Sequence, residues 1–164
     1  MRVTAEEKKA QTLQGVREAR RAVLAAAAAV PLEATDTVFL GEWSVKDIIA
    51  HIIGWDYANI EAVRAVLAGE LPAFYAHRDR DWRTFNAGLV GRYRPEEHEA
   101  GLRAAQLSHQ ALCDLVESIP AAEFEQDHGV RYRGYKVTIA RLLAADSKDC
   151  HLHAQQMRDF LSSI

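Results

Sequence analysis

WSVKDIIAHIIGWDYANIEAVRAVLAG, residues 43–69, is the stretch that decides the fold. Ser44 followed three residues on by Asp47 forms an N-cap box: the serine oxygen accepts from a first-turn N–H, and the acid favours the positive end of the helix. Gly69 supplies the stop. Between them Ile48, Ile52, Trp55, Asn59 and Val63 recur at helical spacing, so one long amphipathic helix is predicted. His51 falls on the flank of that stripe, between Ile48 and Trp55, facing a core or a cleft. An imidazole placed there is either a satisfied core residue, bonded to a neighbouring carbonyl or carboxylate, or a ligand.

Upstream, the same reading gives a helix from about Thr4 to Ala29. Glu6 and Glu7 stand in its first turn and Pro31 marks its end. Leu13, Val16, Ala19, Arg20, Val23 and Ala27 outline its buried side, whereas Arg17, Glu18 and Arg21 read as a solvated face. Val38, Phe39 and Leu40 of the connector are expected to tuck under the bundle, with Trp43 as a hydrophobic staple ahead of the cap.

Downstream, residues 70–95 form a long crossover rich in aromatics and too apolar for a disordered linker. Asp81 is expected to cap a short helix that carries Trp82, Phe85 and Leu89. His77, Arg78, Asp79 and Arg80 read either as a solvated loop or as a polar lip over a cleft. A third long helix is predicted from Pro95 to about Ser118, with Leu102, Ala105, His109, Leu112 and Val116 as its stripe. His109 is thus a second candidate ligand, while His98 reads as exposed. The alternating RYRGYKV of 131–137 fits a hairpin or an extended strap equally well. The fourth long helix is expected over about Thr138–Leu161.

The whole is read as an all-α protein, a four-helix bundle in one domain over residues 1–164, with a long crossover between its second and third long helices. A formal charge of −3 and a pI near 6.2 offer no basic field for a phosphate backbone, so nucleic acid is not expected as a partner. Cys113 and Cys150 lack a CxxC spacing, no charged-then-apolar leader precedes the fold, and VLAAAAAV at 23–30 is too short to span a bilayer. A cytoplasmic protein with reduced thiols and no membrane partner is expected.

The fourth helix, TIARLLAADSKDCHLHAQQMRDFL, carries the second informative pattern. Ile139, Leu142, Leu143, Asp146, Cys150, His153, Met157 and Phe160 share one face, with Asp149 at its edge beside His153. Asp149 and His153 are i and i+4, so they project together from consecutive turns. Carboxylates aimed at a core cost several kcal/mol unless they are paired, hydrogen-bonded or bound to a cation. His51, Asp149 and His153 would form a two-histidine, one-carboxylate set suited to a divalent transition metal, zinc or nickel, with positions left open as in catalytic sites. A buried Asp–His pair without metal meets the same energetic demand, and spacing alone leaves both readings open. Cys150 reads as a packing residue, and Asp146 as a group that supports the ligands by a hydrogen bond.

WSVKDIIAHIIGW resembles the second-helix signature of the DinB/YfiT-like superfamily of helical-bundle metalloenzymes, with His51 at the ligand position. DCHLHAQQ resembles that superfamily's closing motif of a histidine, a second histidine four residues on, and a glutamine three beyond. His153 and Gln156 match, and Asp149 stands where the first histidine is usual. DWRTFNAGLV followed by LVESIPAAEF is more similar to the ClbS/DfsB-like branch. The resemblance implies a four-helix bundle. It further implies either metal-dependent chemistry on a small electrophile, as in the thiol transferases and maleylpyruvate isomerase of the superfamily, or the hydrolytic self-protection associated with that branch. Three functions follow as expectations: a metal-dependent hydrolase or thiol transferase, a metal-free protein that binds a small molecule, and a dimerisation module acting as a homodimer.

Overall fold

The computed structural model describes residues 2–77 and 81–164. Four long helices, α1 (Ala5–Ala29), α2 (Val45–Leu67), α4 (His98–Ser118) and α5 (Ile139–Ser163), form the bundle. A shorter α3 (Arg83–Tyr93) lies within the crossover between α2 and α4. The local signals explain these boundaries. Thr4 and Glu7 close a capping box on α1, Ser44 and Asp47 close another on α2, and the Thr138 hydroxyl accepts from Arg141 N–H at the start of α5. α1 packs most extensively on α5, and α2 on α4.

The crossover is pinned to α2 by a close approach. A Cβ added at Gly54 would sit 2.7 Å from Leu89 Cβ, so glycine at this position is what lets α3 lie against α2. Asp81 does start α3, its Oδ1 accepting from Arg83 N–H at 3.2 Å, but the cap residue itself is Trp82 in the left-handed conformation at φ 60°. A tryptophan held there is strained, and its ring is among the rings that roof the cavity described below.

Several expectations are corrected. α4 begins at His98 rather than Pro95, because Pro95 folds back on the first turn; a Cβ at Gly101 would lie 2.6 Å from its Cγ. His98 is buried, not exposed, with its Nε2 3.1 Å from the Ala27 carbonyl. Val38 is exposed, whereas Phe39 stacks on Phe160 at 4.3 Å and does cover the core. The open choice at 131–137 resolves as a hairpin of β1 (Arg131–Tyr132) and β2 (Tyr135–Lys136), paired antiparallel, with Arg133 and Gly134 both at positive φ in the turn. Of the expected polar lip, Arg78, Asp79 and Arg80 lie outside the described residues. His77 meets the Phe85 ring edge-on at 4.9 Å.

The apolar core is split in two along the bundle. One half gathers Val63, Leu112, Val116, Phe124, Ile139 and Leu143; the other gathers Val23, Ile48, Ile49, Ala105, Ala154 and Met157. The residues that interrupt it come from the middle of each helix: Arg20 on α1, Asp56 and Asn59 on α2, Ser108 on α4, Asp146 and Asp149 on α5. A polar layer thus crosses the bundle at mid-height.

Candidate metal centre

At one end of that layer α2 and α5 bring His51, Asp149 and His153 together. One potential ligand atom from each lies within 4.8 Å of the others. His51 Nε2 is 2.8 Å from Asp149 Oδ2, and His153 Nε2 is 3.4 Å from the same oxygen. Both imidazoles are buried, while the Asp149 side chain remains 43% exposed. Trp43 lies over both rings, its centroid 4.8 Å from that of His51 and 6.0 Å from that of His153. This connector residue therefore packs on the histidines themselves.

The hydrogen bonds test whether a cation fits. Gln156 Oε1 accepts from His153 Nδ1–H at 2.7 Å, and this acceptor fixes the tautomer: the lone pair of His153 is then on Nε2, directed at Asp149. A neutral imidazole lone pair and a carboxylate oxygen at 3.4 Å are two acceptors facing each other. A metal ion, or a proton, is what such a pair requires. The donor set itself, two imidazoles and a carboxylate, suits a divalent transition metal. The weaker feature is His51 Nδ1, which is buried without a partner, whereas ligand imidazoles usually anchor their second nitrogen.

Electrostatics follow from the same contacts. Burial lowers the His51 pKa, with Asp149 acting the other way. Burial opposes ionisation of Asp149, but the hydrogen bond from His51 and the attraction of a His153 that carries a second proton on Nε2 outweigh it and hold the carboxyl well below its usual range. Asp146, one turn earlier on α5, has the attraction of the Arg20 guanidinium, but that is outweighed. Burial first, then the like charges of Asp56 and Asp149, push it up to about 7. Its contact is a 3.3 Å hydrogen bond donated by Asn59 Nδ2. Burial and neighbouring acids also drive the Cys150 thiol far above its ordinary value, so it is a packing residue.

A cavity of about 430 Å³ opens beside these groups. Trp55, Phe74, Tyr75 and Trp82 supply aromatic walls; Asn59, Asn86, Asp146 and Asp149 supply polar ones. Trp55 Nε1 donates to Asn86 Oδ1 at 2.8 Å, which ties the crossover helix to α2 at the edge of the site.

The second candidate ligand, His109, does not join the triad. It faces a groove between α1 and α4, with Cys113 Sγ 3.5 Å from its Nε2. Sequence reasoning also missed the closed centre of the polar layer. Arg20 makes a two-pronged pair with Asp56 at 2.6 and 2.7 Å, and Ser108 donates to Asp56 at 2.5 Å. Burial works against the Arg20 charge, yet attraction to Asp56 prevails and its pKa is raised. The available signal was a pair of opposite charges on apolar faces, Arg20 on the buried side of the first helix and Asp56 beside Trp55 on the stripe of the second.

Fold and site together define a helical-bundle protein with a His–Asp–His cluster at the mouth of an aromatic cavity. The chain belongs to the DinB superfamily, whose family model matches residues 16–157. No curated protein matches it in sequence. Among solved structures it is similar to the colibactin self-resistance protein ClbS in complex with double-stranded DNA, at 14% identity and a TM-score of 0.78 over 94% of each chain. It is also similar to DfsB, described as a sibling lethal factor precursor, at 13% identity and a TM-score of 0.76 over 93% of this chain and 94% of that one. An uncharacterised protein from Escherichia coli matches at 16% identity and a TM-score of 0.73, over 94% and 93%. These likenesses establish the fold.

The exclusion of nucleic acid as a partner is overturned by the ClbS complex, in which a protein of this fold holds a DNA duplex. The physical reason is that a net charge is a sum over the chain and says nothing of where basic groups gather. Here Arg131, Arg133, Lys136 and Arg141 are all exposed on the hairpin and the adjoining first turn of α5, with Asp127 paired to Arg131 and Lys136. Among the described residues, no helix is long and apolar enough to cross a membrane.

Proposed function

We propose that the protein is a metal-dependent enzyme of hydrolase or thiol-transferase type, acting on a small electrophile, with zinc or nickel held by His51, Asp149 and His153. The observation that carries this reading is the Gln156–His153 hydrogen bond, which leaves an imidazole lone pair facing the Asp149 carboxylate. A divalent metal on such a set supplies Lewis acidity and brings water or a thiol to its nucleophilic form near neutral pH. Gln156 orients His153, and Asp149 contributes the negative charge. The aromatic walls take up the apolar body of the substrate, and Asn59 and Asn86 offer it hydrogen-bond partners. Asp146, with a pKa near 7, is able to give or take a proton at a ligand seated in the cavity. The self-resistance named for ClbS supports a protective role as the setting for this chemistry.

A second reading, a metal-free self-protection protein that binds a small molecule, is favoured by one contact. The 2.8 Å bond from His51 to Asp149 gives the carboxylate a donor without any metal once Nε2 carries the proton. Elemental analysis after dialysis against micromolar zinc or nickel separates the two. The enzyme reading expects one metal per chain in the wild type, its loss in His153→Ala with the helical circular dichroism retained, and weaker uptake at acid pH because the imidazoles must be neutral to bind. Equal, sub-stoichiometric metal in both proteins leaves the metal-free reading.

A further inference from the structure

The polar layer has a second end, on the opposite side of the bundle from the aromatic cavity. There α1 and α4 leave a groove of about 300 Å³, lined in part by Arg17, Arg20, Arg21, Gln106, His109 and Cys113. Four buried side-chain atoms among the described residues have no hydrogen-bond partner, and two of them, Arg20 Nε and His109 Nδ1, belong to residues of this groove. Arg20 is only 2% exposed, and its terminal nitrogens are already committed to Asp56 and to the Ala105 carbonyl. Nε is the one nitrogen of this guanidinium left without a partner among the described residues.

The chemistry of the second orphan follows from Cys113. Cys113 Sγ lies 3.5 Å from His109 Nε2, and the contact is made when the thiol, kept protonated by burial, donates S–H to a neutral imidazole in its Nδ1–H form. In that form both orphaned atoms are N–H donors, and among the described residues no carboxylate lines the groove. The acids nearby are already paired with lining residues, Asp56 with Arg20 and also Ser108, Glu117 with Arg17, and Asp114 with Gln110, so the charges of Arg17 and Arg20 are balanced. Arg21 is exposed in the lining and makes no ion pair among the described residues.

We propose that this groove binds a small oxyanion, the carboxylate or phosphate group of a small molecule, received by Arg20 Nε–H, His109 Nδ1–H and the Arg21 guanidinium. Two buried donors without an acceptor, beside a free guanidinium, call for a ligand that brings oxygen lone pairs and negative charge. The site is independent of any metal at the triad. His109 also serves as its reporter. Burial, and then the positive charges of Arg20 and Arg17, push its pKa down to about 4, and a bound anion relieves the second of these causes.

The test is a titration of the isotope-labelled full chain, at constant ionic strength, with inorganic phosphate and separately with acetate. The Arg20 Nε–H and His109 ring resonances are followed. The expected result is a saturable shift of both resonances with at least one of the anions. The His109 pKa should rise by about one unit, and affinity should fall about tenfold in Arg21→Ala, the loss of one charge-assisted hydrogen bond. A response that grows without saturating, or that is unchanged in Arg21→Ala, overturns the site and leaves its two donors to water. A DNA duplex that moves the same resonances at lower concentration than phosphate, and fails to do so in Arg21→Ala, overturns the small-molecule assignment and gives the groove to a backbone phosphate.

Discussion

Asp56 and Asp149 belong to the same polar layer, yet the bundle holds them in opposite ways. Asp56 is wholly enclosed, and Arg20 and Ser108 saturate its oxygens. Asp149 keeps nearly half its side chain in solvent, and its partners are two imidazoles whose charge depends on pH. A closed, fully paired acid can contribute to stability and specificity but has no means to meet a ligand. An open acid, flanked by histidines at a cavity mouth, is poor as a structural device and well placed as a chemical one. The difference teaches that burial of charge alone does not mark a functional site. What marks it is incomplete satisfaction facing a cavity.

The comparison is broken most severely at Asp56. Asp56→Ala leaves the Arg20 guanidinium buried without its counter-charge, and urea unfolding should show a loss of about 3–5 kcal/mol. Loss of less than about 1 kcal/mol would mean that the layer is hydrated and not closed.

Asp146 sits between the two extremes, and its effect is pH-dependent. Its folded pKa, about 7, lies above the ordinary carboxyl value of 3.8. The folded state therefore favours the protonated form, and the stability it provides is present below about pH 4 and lost as pH rises through about 7. Asp146→Asn should escape that loss. Relative to wild type it should gain on the order of 2–4 kcal/mol between pH 4 and pH 8, read from unfolding curves at both. A pH-independent difference would show that Asp146 titrates normally.

The smallest effect concerns Cys150. Its thiol is buried beside acids, so alkylation of the native protein should be slow, and much faster once the chain is unfolded in denaturant. Rapid native labelling would place Cys150 among the accessible groups of the site.

Much of this architecture is legible in the sequence because it is written locally. The caps at Thr4, Ser44 and Thr138 and the stripe through Ile48, Ile52 and Val63 depend on residues a few positions apart. The triad was legible in part for the same reason, since Asp149 and His153 are i and i+4, and His51 then had to be supplied from another helix. The Arg20–Asp56–Ser108 network joins residues 36 and 52 positions apart on three helices, and no periodicity announces such a meeting. His98 was misplaced because its burial depends on α1 presenting the Ala27 carbonyl, a tertiary fact. His109 shares an apolar face with Leu112, but the wheel of one helix does not say which neighbour that face meets.

The central claim is that Asp149, unlike Asp56, is held open for a cation, and calorimetric titration with zinc tests it directly in wild type and Asp149→Asn. The account predicts one saturable site per wild-type chain, and an affinity lower by more than about tenfold in the variant, which loses a charged ligand at nearly constant shape. Absence of saturable binding to the wild type, or equal affinity in both proteins, would contradict it.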